Sequence, residues 1–236
     1  MQKKTYVNKN KNINIDYSVA DNIYLFHNVF NKDFCQELID IYKKKDDANL
    51  VRYDESNKML NCNYFCIRRN KEKYIDTKIF SLLLPYYSIL NSTRLTRIKA
   101  DEGYTIRRIH GPTTIHCDAT CLWTPYNTVR SMALVIALNS DYDGGIFEFP
   151  DQNISIKLNQ GDMICFPPFW THPHKVSSPL NNTYRYTIHT WGIENTTISW
   201  DNSNSPYING ISCPERRQLK NTDKTYQQVI TDFLKK

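Results

Sequence analysis

The chain has 236 residues, 40% hydrophobic and 23% charged, which is enough for one sizeable core and excludes a disordered chain. Only 7 glycines speak against glycine-rich phosphate loops, and no apolar run approaches the ~20 residues of a membrane-spanning helix. The formal charge of +6 sits at the ends, with +4 in residues 1–12 and +3 in residues 214–236, so the middle of the chain is near neutral.

Residues 1–20 read as a flexible basic arm, polar throughout and unlike a secretory leader. Basic ends can touch nucleic acid, but a solvated arm is the plainer expectation. "NIYLFHNVF" (22–30) predicts a short strand. In "NKDFCQELIDIYKKK", Asn31 suits a helix N-cap and Asp33 its first turn. Phe34, Leu38, Ile41 and Tyr42 recur at helical spacing. After a polar stretch and "NYFCIRR", "DTKIFSLLLPYYSILNS" predicts a second helix, interrupted or ended near Pro85.

From about residue 94 the pattern changes to short extended runs: "TRLTRIKA", "YTIRRIH", "TTIHCDAT", "RSMALVIALN", "GIFEFP", "NISIKL", "DMICFPP" and "RYTIHTWG". Turn signals such as "DYDGG" and "NQGD" separate several of them. The expected fold is mainly β with supporting α-helices, an antiparallel sandwich or jelly roll. The expected organisation is the arm 1–20, a helix-supported domain 21–195 and a polar tail 196–236. The tail closes with "TDKTYQQVITDFLKK", an expected amphipathic helix with Val229, Ile230 and Phe233 on its apolar face. The odd count of 7 scattered cysteines fits reduced thiols, hence a cytoplasmic or equivalent reducing compartment rather than secretion.

"TTIHCDAT" (113–120) carries the first chemical signal. Side chains two apart on a strand share a face, so His116 and Asp118 form either a surface ion pair or two ligands of a metal. "THPHKVSSPLNNTYRYTIHTWG" (171–192) adds a third ligand, His172 or His174, and a cation, Arg185. Arg185, Thr187, His189 and Trp191 alternate onto one strand face. A guanidinium there needs an anion, either a structural partner or a ligand. Two histidines and a carboxylate form the facial triad of non-haem Fe(II) oxygenases.

The order "HCDAT…MALVIALNSDYDGGIFEFP…IKLNQGDMICFPPFWTHPHKVSSPLNNTYRYTIHTW" resembles the 2-oxoglutarate/Fe(II)-dependent dioxygenase superfamily, in its prolyl 4-hydroxylase-like branch. The resemblance covers about residues 104–192. It implies a double-stranded β-helix (jelly roll) with a catalytic core at about 94–192. His116, Asp118 and His174 would be the Fe(II) ligands, Arg185 the partner of the distal carboxylate of 2-oxoglutarate, and Thr187 a hydroxyl donor beside it. The "PHxV" pattern and the spacing to Arg185 favour His174 over His172. The implied cofactors are Fe(II), 2-oxoglutarate and O2, and the resemblance also admits ascorbate. The implied reaction is hydroxylation of an unactivated C–H bond, first of all in a peptidyl proline, with a peptide or protein as partner.

Rival readings are a dioxygenase acting on a small molecule or on nucleic acid, or a non-catalytic jelly-roll binding module. Nucleic-acid demethylases of this superfamily usually carry a second arginine six residues after the first, where this chain has Trp191. Relatives often hold 2-oxoglutarate with a tyrosine on the strand before "LN". Here that stretch is Val135-Ile136-Ala137, and Tyr104 is the remaining weak candidate. The pairs Cys62/Cys66 and Cys117/Cys121 lack the usual zinc-knuckle spacing. Substrate specificity is expected from two loops. One is the polar stretch 46–65, a lid or an ordinary connection. The other is "CLWTPYNTVR" (121–130), where Trp123 and Tyr126 would flank a proline ring.

Overall fold

The computed structural model describes residues 2–8, 11–18, 21–45, 51–53, 62–67, 71–93, 96–98, 100–119, 129–194 and 217–218. The strands β1 (Gln2–Asn8), β2 (Lys11–Ser18) and β3 (Ile23–Phe26) precede helix α1 (Lys32–Lys43). Next come β4 (Val51–Tyr53), β5 (Cys62–Ile67) and helix α2 (Lys73–Ser92). Then follow β6 (Ala100–Asp101), β7 (Tyr104–Ile109), β8 (Thr113–His116), β9 (Val129–Ala137), β10 (Phe147–Phe149) and β11 (Ile154–Ile156). The described chain closes with β12 (Met163–Phe166), β13 (His174–Val176), β14 (Arg185–Glu194) and β15 (Arg217–Gln218). No described helix is long and apolar enough to cross a membrane.

The strands pair antiparallel into two sheets. The large one has the order β1-β2-β3-β12-β9-β14-β7-β5-β4, with β6 on β14 and β15 on β6; the small one is β11-β10-β13-β8. Period-2 alternation gives the large sheet two apolar faces. Leu134, Ile136 and Ile188 point to one side and pack with Phe34, Leu38 and Tyr42 of α1 and Ile79, Leu83 and Tyr87 of α2. Ala133, Val135, Ala137 and Trp191 point to the other, where they meet Phe147, Phe149 and Val176 of the small sheet. This is the expected helix-supported jelly roll, and the space between the two sheets is where the polar residues of β14 converge.

Helix α1 starts as its sequence predicts. The Asn31 side chain accepts from the Phe34 N–H at 2.8 Å, Asp33 lies in the first turn and Lys43 in the last. Helix α2 departs from expectation by running through Pro85 to Ser92. A proline forfeits one i→i−4 hydrogen bond. Here Leu83, Leu84, Tyr86, Tyr87 and Leu90 are all buried around it, so packing overrides the local penalty. The supposed arm differs as well. Residues 2–8 and 11–18 form a hairpin whose second strand pairs with β3 and extends the large sheet, and Ile13 is buried. "NINIDY" alternates polar and apolar residues, a strand signal that the basic composition obscured. Among the described residues of "TRLTRIKA", 96–98 are irregular and only Ala100 enters a strand. The tail helix expected at 222–236 lies outside the described residues.

One buried carboxylate in this scaffold titrates in an accessible range. Asp101 is fully buried and accepts from Tyr104 Oη at 2.7 Å, Tyr87 Oη at 3.1 Å and the Gly103 N–H at 3.1 Å. Burial pushes its pKa up to about 6 from 3.8, although these three donors work against that. The folded state therefore binds the proton first. Its contribution is most favourable below about pH 4 and is lost as pH rises through about 6. The span is about 3 kcal/mol. Asp101→Asn mimics the protonated form. Denaturant melts of both proteins from pH 3.5 to 7.5 should show the wild type losing about that much relative to the variant; a pH-independent difference contradicts it.

Candidate metal and cosubstrate site

The small sheet places two histidines face to face. His116 ends β8 and His174 begins β13, and the two are direct cross-strand partners with ring centroids 4.5 Å apart. Each Nδ1 lies against a backbone carbonyl, Thr114 O at 2.7 Å for His116 and His172 O at 3.1 Å for His174. A carbonyl only accepts, so Nδ1 carries the proton and Nε2 keeps a lone pair for a metal. Phe149 and Phe166 pack on the His174 ring at 5.6 and 4.5 Å between centroids and fix its plane.

Asp118 reaches this pair by a route that the strand argument did not anticipate. Strand β8 stops at His116, and Asp118 sits in the bend that follows. The bend is pinned from two sides, by the Ala119 N–H donating to Pro168 O at 2.8 Å and by Arg130 Nη1 donating to Asp118 O at 2.8 Å. Arg130 is itself held by a two-pronged pair with buried Glu102, at 2.8 and 2.7 Å, and lies 3.9 Å over the Trp191 ring. The Asp118 carboxylate then stands 3.6 Å from His116 Nε2 and 4.0 Å from His174 Nε2. One ligand atom from each residue falls within 4.8 Å of the others. Burial alone would raise the Asp118 pKa, but His116, His174 and Arg130 together hold it well below the usual carboxylate range. Burial also keeps the His174 imidazole in its neutral form. Two imidazoles and an ionised carboxylate grouped in this way suit a divalent first-row metal.

The two histidines of "THPH" have different surroundings, and His174 is the one grouped with His116 and Asp118. His172 is buried away from the cluster, its Nδ1 against Thr171 Oγ1 at 2.9 Å and its Nε2 against the Asp21 carbonyl. It ties the loop before β13 to the start of β3. His110 is likewise scaffold, with Nδ1 at 3.1 Å from Thr183 O.

Arg185 opens β14 on the inner face. It is 2% exposed, its guanidinium lies 5.2 Å over Phe147, and Nε and Nη1 have no hydrogen-bond partner among the described residues. The Thr187 hydroxyl, on the same face and fully buried, is also unpartnered there. A buried cation with unmatched donors is costly unless an anion fills the place. The positive φ of Gly144 and Gly145 lets the "DYDGG" turn close over this end, where a Cβ on Gly145 would stand 3.3 Å from Arg185 Cδ. These donors suit a carboxylate.

Three further observations correct or extend the sequence reading. Tyr104 faces the helices and bonds Asp101, so it is no partner for a cosubstrate. Trp123 and Tyr126 lie outside the described residues, as does most of the 46–65 stretch; within the latter, Val51–Tyr53 pairs with Cys62–Tyr64 as an edge hairpin. The Arg130–Glu102 brace and the inward-facing Arg107 were missed. Their signal was an arginine inside or at the edge of an apolar strand run.

Residues 104–192 match the sequence model of the 2OG-Fe(II) oxygenase superfamily. No curated protein sequence matches the chain. Among solved structures, the chain is similar to a viral collagen prolyl hydroxylase from Paramecium Bursaria Chlorella virus-1, in complex with 2OG. Identity is 16% and the TM-score 0.57, over 73% of this chain and 96% of that one. It is also similar to a prolyl hydroxylase from Trichoplax adhaerens in complex with a peptide fragment of the hypoxia inducible factor oxygen degradation domain. That match has 14% identity and a TM-score of 0.55 over 73% and 83% of the two chains. A third, SnoN, is a non-heme alpha ketoglutarate dependent epimerase from nogalamycin biosynthesis, at 10% identity and a TM-score of 0.56 over 79% and 87%. The shared fold is the prolyl hydroxylase-like jelly roll; at these identities the fold alone is common to them.

Proposed function

We propose that this chain is a 2-oxoglutarate- and Fe(II)-dependent dioxygenase that hydroxylates an unactivated C–H bond, with a prolyl residue of a peptide or protein as its substrate. The observation that carries the reading is the pairing of the His116/Asp118/His174 cluster with a buried Arg185 whose Nε and Nη1 have no hydrogen-bond partner among the described residues. Iron, 2-oxoglutarate and O2, when bound, supply the oxidation itself. The residues of the chain do the rest. His116, Asp118 and His174 hold the metal from one side. Arg185 binds the far carboxylate of the cosubstrate with its guanidinium fork, and Thr187 donates beside it. Val135, Ala137, Ile164 and Phe166 line the inner face with apolar surface and exclude water. No protein nucleophile is needed.

The prolyl reading draws on two of the similar structures, one with a bound peptide and one a collagen prolyl hydroxylase. A small-molecule substrate is the second reading, favoured by the epimerase with the same fold. Trp191, in place of a second arginine, speaks against nucleic acid. Ascorbate enters only as a reductant in the assay. The test is incubation of the full chain with Fe(II), 2-oxoglutarate, ascorbate and a set of proline-containing peptides. Succinate should form in step with the mass gain of one oxygen atom on a peptide, located at proline by fragmentation. Succinate without peptide oxidation turns the reading to a small molecule. No succinate under any condition removes the oxygenase reading.

A further inference from the structure

His116 and His174 are placed by a strand pair, but Asp118 is not. Strand β8 ends at His116, so the pleat no longer directs a side chain two residues further on. We propose that Arg130, anchored by Glu102, is a positioning residue for the metal site: it fixes the peptide unit that follows Asp118 and thereby aims the Asp118 carboxylate at His116 and His174. The proposal rests on the reading above, in which these three residues hold a metal.

The two contacts that pin the bend fall on one peptide unit. Arg130 Nη1 donates to the Asp118 carbonyl at 2.8 Å, and the N–H of the same planar unit, that of Ala119, donates to Pro168 O at 2.8 Å. A peptide unit held at both its oxygen and its nitrogen cannot turn about the Asp118 Cα–C bond without losing one of these bonds. The carboxylate branches from that same Cα, so its direction follows from the held unit. Pro168 lies between β12 and β13, on the segment that leads into His174. The second contact therefore ties Asp118 to the stretch of chain that carries another ligand.

Arg130 itself has little freedom. Its Nε and Nη2 donate to the two Glu102 oxygens at 2.8 and 2.7 Å, while Nη1 carries the bond to Asp118. A planar guanidinium can serve a carboxylate with two donors and still present a third elsewhere, which an ammonium cannot do in fixed geometry. Glu102 is 5% exposed, and its own N–H donates to Trp191 O at 3.1 Å, so the anchor is joined to the residue whose ring lies under the guanidinium. Arg130 stands near the start of β9, opposite Ile193 of β14. The sign of the expected effect separates position from charge. A cation beside a site for a divalent cation opposes metal binding, so removing the Arg130 charge alone would tighten it. Removing the grip on Asp118 weakens it, because ligand distances in a metal site hold to within about 0.2 Å.

The test titrates Co(II) into the full metal-free chain and reads affinity by calorimetry and ligand geometry by the Co(II) absorption bands. Arg130→Met should bind Co(II) at least about tenfold more weakly than wild type, the scale on which residues that orient metal ligands act. Its bands should shift towards those of Asp118→Ala. In the Asp118→Ala background Arg130→Met should cost nothing further, since the arginine acts through that ligand. The double substitution Arg130→Met/Glu102→Leu removes the brace without changing the net charge. It should show the same loss, and it serves as the second variant if Arg130→Met leaves Glu102 unpaired and does not fold. Denaturant melts establish which variants are folded. Unchanged or tighter Co(II) binding in either folded variant overturns the proposal. So does an equal loss in the Asp118→Ala background, which would make the brace a support of the fold alone. Equal Co(II) binding by wild type and Asp118→Ala is a separate result and defeats the underlying reading instead.

Discussion

His174→Ala abolishes turnover and lowers metal affinity by more than about 100-fold, beyond the roughly 10–100-fold that residues surrounding a metal site typically carry. The reason is geometric. His174 is 3% exposed, its ring is clamped by Phe149 and Phe166, and its Nε2 faces the Asp118 carboxylate 4.0 Å away. Among the described residues, the metal-ligand grouping consists of His116, Asp118 and His174. His172→Ala provides the contrast. It removes the hydrogen bond to the Asp21 carbonyl and costs about 0.5–1.5 kcal/mol of stability, with metal binding retained. Titration of Mn(II) or Co(II) into both variants, followed by calorimetry or by the Co(II) absorption bands, separates them. Metal binding kept in His174→Ala and lost in His172→Ala would show that the third ligand had been misassigned.

Arg185→Ala weakens 2-oxoglutarate binding by about 2–5 kcal/mol, roughly 30-fold to several thousand-fold. The cosubstrate carboxylate would then lie in an apolar pocket with Phe147 beside it and no guanidinium to match it. Mn(II) binding should survive, because the three metal-binding residues sit on and beside the small sheet whereas Arg185 begins a strand of the large one. The stabilisation of wild-type protein by 2-oxoglutarate in a thermal melt with Mn(II) should vanish in the variant. An unchanged dependence on 2-oxoglutarate would remove Arg185 from this role and leave its unmatched Nε and Nη1 unexplained.

Much of this site was legible along the chain, because the residues concerned obey short-range rules. The N-cap at Asn31 depends on a contact three residues away. The alternation of Arg185, Thr187, His189 and Trp191 on one face is a property of any strand. The apolar pattern of "SMALVIAL" announces a strand buried on both faces, and β9 is one. His116 and Asp118 also came from local spacing, although the reason was incomplete. They converge because Arg130 and Pro168 pin a bend, and not because one strand aims both.

The chain by itself thus determined the two helices and the run of strands after them, the residue types of the metal cluster and the strand-face alternation that carries Arg185, since each depends on neighbours a few positions apart. Tertiary structure decided the rest. His172 and His174 differ by two positions and have the same chemistry. Only the pairing of β13 with β8 turns one towards His116, while the Asp21 carbonyl takes the other. Pro85 stays inside a helix because a core packs around it, and Tyr104 leaves the site because its hydroxyl finds Asp101 on the helix side. Arg107 reads locally as an ordinary strand arginine, and its inward direction follows from its register with Thr187, 80 positions later in the chain. Long-range pairing selects among side chains that local rules leave equivalent, since a one-residue change in register moves a side chain to the opposite face of the sheet.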